Sequence, residues 1–81
     1  MKLRIIEYEG QLFVVVGITN LRDKMVNIHE HWEVFEAYPL NENQSIIETI
    51  LSGGPAVFIK IEDAKEVTER DRLESILVLY G

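Results

Sequence analysis

The sequence predicts an α+β domain: a small antiparallel sheet of about five strands, with one helix near residues 42–52. Three observations carry this. Runs rich in β-branched and aromatic residues recur at Leu3–Tyr8, Leu12–Ile18, Ala56–Glu62 and Ser75–Tyr80, separated by turn-forming or polar stretches. A single apolar stripe at helical spacing, Ile46, Ile47, Ile50 and Leu51, interrupts them. The chain is also short and apolar, with 81 residues of which 47% are hydrophobic, and it has no cysteine. Residues 1–81 therefore read as one domain held together by packing, without disulfides or thiolate metal sites.

The first two runs flank Glu9-Gly10, and Gly10 takes positive φ at little cost. Tyr8–Gln11 is thus expected to be a tight hairpin turn. Leu12–Val16 is apolar on both faces, which suits a central strand. Thr19–Lys24 is polar and charged, an exposed loop. Met25–Tyr38 fits two patterns. As a strand it sets Val26, Ile28, Trp32 and Val34 on one side. As a helix it is capped by Asn27 and carries Ile28, Trp32 and Phe35 as its stripe. The strand is favoured for its first half, where Met25–Ile28 continues a meander. Pro39 ends the element.

Asn41–Gln44 offers a helix start, with Glu42 in the first turn, and Ser52-Gly53-Gly54-Pro55 stops that helix. Ala56–Glu62 alternates as a strand. Asp63–Glu74 is polar, with one helical turn around Thr68–Asp71. Ser75–Tyr80 closes the order as a last strand.

About five bent strands in so short a chain suggest a small barrel of the SH3-like kind, with the helix as an insertion. The short polar turn before the last strand is similar to the one in such barrels. The likeness is one of element order alone.

Charge narrows function by exclusion. The net charge is −6. From Met25 to Ile59 there is no lysine or arginine, while Glu30, Glu33, Glu36, Glu42 and Glu48 and both histidines fall in that span. Binding along phosphates needs cations to displace counterions, so no nucleic acid partner is expected. The longest apolar runs are five residues, Leu12–Val16 and Ile76–Tyr80, against the roughly 20 of a spanning helix. Lys2 and Arg4 are followed by Glu7 and Glu9 where a signal peptide would be apolar. A soluble, cytoplasmic protein with no membrane partner is the expectation.

Two constellations could carry chemistry. On a strand, His29, His31 and Glu33 would project from one face about 6.6–6.8 Å apart, a donor set for zinc or another divalent transition metal. The bland account is a half-exposed polar strand face, and the H-E-H spacing is not the H-E-x-x-H of zinc proteases. The second constellation is Glu30, Glu33 and Glu36 beside Trp32, Phe35 and Tyr38. Nothing in the pattern buries those carboxylates, as paired acid–base work requires. They read as a solvated acidic edge, and the aromatics read first as core. Ser52-Gly53-Gly54-Pro55 follows a helix where a phosphate loop would precede one. No G-x-S-x-G elbow occurs.

The expected function is a non-catalytic interaction or assembly module. Its partner surface would comprise Glu30, Trp32, Glu33, Phe35 and Glu36, and the partner would be another protein or a second copy of the chain in a homodimer. The alternative is a small metal-binding protein or metal-dependent enzyme using His29, His31 and Glu33.

Overall fold

A computed structural model describes residues 3–20, 33–52 and 54–81. Its elements are β1 (Ile5–Tyr8), β2 (Gln11–Asn20), β3 (Glu33–Pro39), α1 (Ile46–Ser52), β4 (Val57–Lys60), a 3-10 turn (Ile61–Asp63), β5 (Lys65–Glu66) and α2 (Arg70–Tyr80). The five strands form one sheet in the order β4-β3-β2-β1-β5, antiparallel throughout. The fold class is α+β, with two helices where the sequence suggested one.

The first hairpin forms as expected, with Tyr8 paired to Gln11. Both turn residues are left-handed, Glu9 at φ 50° and Gly10 at φ 77°. Two consecutive positive φ values are what a two-residue hairpin loop uses to match the twist of its strands. β2 runs to Asn20, two residues beyond the expected end, and a register shift between Val15 and Gly17 bends it. Glu33–Pro39 is strand, which decides between the two patterns for that part of the stretch. The strand expected at Met25–Ile28 and residues 21–24 of the expected loop lie outside the described residues.

Two further expectations are corrected. Ser75–Tyr80 is not a strand but the larger part of α2. Leu73, Ile76 and Tyr80 recur at i, i+3 and i+7, and this stripe crosses the boundary between the polar stretch and the apolar run. A short apolar run bounded by polar residues has no period that separates strand from helix. The fifth strand is instead Lys65–Glu66, paired to Ile6 and Glu7. The first helix begins at Ile46, later than residue 42. Asn41 Oδ1 accepts the Asn43 N–H, and Ser45 Oγ accepts the Glu48 N–H. Residues 41–44 are thus a turn, and Ser45 caps the helix.

The sheet is strongly bent but not closed. β4 and β5 occupy opposite edges, yet only Ile61–Ala64 joins them. Five flat strands would separate the edges by about 19 Å. A connection with three residues in a 3-10 turn reaches on the order of 13 Å. The edges must curl toward each other. Among the described residues they do not hydrogen-bond, and the SH3-like barrel is not completed.

Curling gives the sheet two cores. Its inner face holds Ile6, Phe13, Phe35, Ala37 and Ile59, closed over by Tyr8, Ile61 and Ala64. Its outer face carries Ile5 and Val14, covered by Ile46 and Ile50 of α1 and by Leu73, Ile76 and Tyr80 of α2. Arg72 Nη2 donates to Glu7 Oε2 at 2.7 Å, and the Val67 N–H donates to the Ile5 carbonyl at 2.9 Å. These bonds fix α2 and β5 against β1.

Candidate functional site

Strand geometry divides the acidic and aromatic residues singled out from the sequence. Neighbours along a strand point to opposite faces. Glu33 and Phe35 therefore share the inner side, while Glu36 lies on the outer side beside Tyr38. Glu33 is exposed where β3 begins, opposite Asn20. Phe35 is only 2% exposed and packs the inner core. The Arg4 guanidinium covers its ring at 4.9 Å from the centroid. Phe35 is thus an interior residue beneath an arginine and not a projecting anchor. Glu36 is half-buried, and Phe58, partly exposed, stands across from it on β4.

His29, Glu30, His31 and Trp32 lie outside the described residues, so of the candidate metal set only Glu33 is placed. Among the described residues no three histidine, aspartate or glutamate side chains are grouped to hold a metal ion. Among the described residues no helix is long and apolar enough to cross a membrane.

One cleft gathers polar side chains. It measures about 710 Å³ and lies between the end of β3, the 41–44 turn and α1, with Tyr38, Tyr80, Asn41 and Gln44 on its walls. Much of its hydrogen-bonding capacity is already internal. The Gln11 amide donates to the Leu12 and Leu40 carbonyls, Thr49 Oγ1 to the Ser45 carbonyl and Ser52 Oγ to the Thr49 carbonyl. Among the described residues, Glu42 is the one carboxylate there. The described residues of the cleft form no nucleophile–base pair of the kind acyl or phosphoryl transfer needs.

The surface that stands out is not the acidic edge of β3 but the helical layer. Each helix uses one stripe to cover the sheet and leaves other large apolar side chains in water. On α1 these are Ile47, 68% exposed, and Leu51, 78% exposed. On α2 they are Val78 at 86% and Leu79 at 59%, with Leu77 partly exposed beside them. Val78 and Leu79 line a shallow groove with Asp71, Glu74 and Ser75. Scattered single leucines on a surface are ordinary, whereas several large apolar residues left exposed on the helices of one layer are less so. The sequence held a signal for it. The run Ile76–Tyr80 is apolar at every position, so once it is helical one part of it must face away from the sheet.

No family model matches the chain, and neither a characterised protein nor a solved structure matches it significantly.

Proposed function

We propose that this domain is a non-catalytic protein-interaction module whose docking surface is the outer side of its helical layer. The observation that carries the reading is the exposure of Leu51 and Val78, 78% and 86%, on the two helices that otherwise cover the sheet. Leaving such side chains in water forgoes about 1.5–3 kcal/mol each relative to burial, a reserve that a partner can recover. The support comes from the helices and not from Glu33, Phe35 and Glu36, because β3 sends those three to two different faces. Asp71 and Glu74 border the apolar groove on α2, and such rim charges govern partner choice more than affinity.

Affinity capture from the source cell, with the wild-type chain and a Leu51→Glu, Val78→Glu double variant as baits, tests the proposal. Both positions are exposed, so the variant keeps its fold, checked by circular dichroism. Partners, copies of the chain among them, are expected with the wild type and lost with the variant. Identical sets from both baits, or nothing above a bait-free control, would overturn the reading.

A further inference from the structure

Resting on that reading, we infer that the partner on the α2 face is a second copy of this chain, with the two α2 helices crossing antiparallel about a two-fold axis near Val78.

The charge layout selects this occupant and this orientation. From Ser75 to Tyr80 α2 carries no charged residue, and its exposed side chains there are Ser75, Leu77, Val78 and Leu79. All its charges lie upstream, in Arg70, Asp71, Arg72 and Glu74. Arg72 is held by Glu7, and Arg70 pairs with Glu74. At a rise of about 1.5 Å per residue, Glu74 stands roughly 6 Å and Asp71 roughly 10 Å along the helix from Val78. A two-fold crossing at Val78 sends these acids in opposite directions, about 12 and 21 Å from their own copies, beyond the ~8 Å screening length at physiological salt. A parallel pairing would set Asp71 against Asp71. The antiparallel arrangement joins an uncharged surface to itself, as an isologous contact requires.

Area and the state of the sheet edges agree with it. Leu77, Val78 and Leu79 on α2 and Ile47 and Leu51 on α1 together leave on the order of 350 Å² of apolar surface uncovered. A standard interface takes about 800 Å² from each partner, rather more than half of it apolar, so a contact reaching both helices finds most of that apolar share here. Ser75 lies between Val78 and Leu79 around the helix and is small enough for close approach. The alternative meeting place, a sheet edge, is blunted: β4 is four residues long and ends in Lys60, and β5 is two residues beginning with Lys65.

The chain has no cysteine, which makes a single-thiol test direct. Val78→Cys, Asp71→Cys and Phe58→Cys are prepared separately in the full chain. Mild oxidation is followed on non-reducing gels, and light scattering gives the wild-type mass up to high micromolar concentration. The expected result is a dimeric wild type, with Val78→Cys cross-linking at least tenfold faster than the other two variants, because only facing positions bring Cα atoms within the roughly 4–7 Å a disulfide spans. Val78→Glu should convert the dimer to monomer with unchanged circular dichroism, and its melting midpoint should lose the concentration dependence that dimerisation gives the wild type. A monomeric wild type overturns the inference. So does equal or faster cross-linking through Phe58→Cys, which would put the contact at the sheet edge. A monomeric wild type that still captures another protein in a Val78-dependent way would overturn the self-pairing alone and leave the interaction reading standing.

Discussion

The guanidinium of Arg4 lies 4.9 Å above the centre of the Phe35 ring while its Nε donates to a Glu66 carboxylate oxygen. One side chain thereby closes the inner core over β3 and fastens β5 to the residue preceding β1. Its aliphatic stem supplies packing and its planar head both the ring contact and the ion pair. Arg4→Ala should destabilise the domain by about 1 kcal/mol, since a partly exposed cation–π contact contributes roughly 0.5–1 kcal/mol and the exposed ion pair little more. Arg4→Lys should recover only part of this, because an ammonium lacks the flat fork that serves both partners. Urea denaturation midpoints of the three proteins measure the order.

The hairpin turn contains avoidable strain. Glu9 is not a glycine, yet it sits at φ 50°, where a side chain crowds the backbone. Asparagine tolerates that conformation better. Glu9→Asn should therefore stabilise the fold by about 0.5 kcal/mol, read as a higher denaturation midpoint. An unchanged or lower midpoint would show that the carboxylate contributes more than the backbone strain costs.

The same residue governs an alkaline effect. The Tyr8 phenol is pushed above its ordinary value of 10.0, first by the Glu9 carboxylate, then by burial, by Asp63 and by a hydrogen bond to Glu9. Ionisation is thus disfavoured in the folded state. The associated stability is complete below the unfolded value and is lost as pH rises from about 10 through the folded one. Glu9→Gln should lower the Tyr8 titration midpoint, followed by NMR of the ring, and flatten the alkaline loss of stability. A Tyr8 midpoint that does not move would remove Glu9 as its main cause.

At the start of α1 the Ser45 hydroxyl accepts the Glu48 N–H at 3.1 Å. Ser45→Ala should cost about 1 kcal/mol. Because α1 has only seven residues, little in its own length compensates. Hydrogen exchange should accelerate first at Glu48 and Thr49, with the β1–β2 hairpin unaffected. Uniform acceleration across the domain would mean that α1 and the sheet open as one unit.

On the proposed interaction reading, the domain should melt at the same temperature with EDTA and with added zinc or nickel. A ligand bound only by the folded state would raise the midpoint by several degrees. A zinc-dependent rise abolished in a His29→Ala, His31→Ala variant would instead revive the metal-binding alternative.

Local chemistry made the hairpin readable in the sequence, since Glu9-Gly10 between two apolar runs points to one turn. The stop of α1 at Ser52 was readable for the same reason. Its start was misplaced although Ser45-Ile46-Ile47-Glu48 has the spacing of a capping box, because Asn41 and Glu42 offer a competing start four residues earlier. α2 was missed where a uniformly apolar stretch conceals its period, and β5 because two residues, Lys65 and Glu66, have no pattern. Of the candidate surface, Phe35 is the core residue that its aromatic character first suggested, but its neighbours there, Ile6, Phe13 and Ile59, come from other strands, and spacing along the sequence carries no information about which strands meet.

The Arg4–Glu66 contact joins residues 62 positions apart, and this separation bears on how the chain is made. β1 emerges from the ribosome early and pairs at once with β2, a local step. Its other edge waits for residues that emerge some sixty positions later. Until then the growing chain displays an uncovered strand containing Ile5 and Ile6, so a nascent or truncated product lacking β5 and α2 is exposed to pairing with its neighbours. Mutations that weaken this late closure should lower the yield of folded protein during synthesis more than they lower the melting temperature of the finished domain.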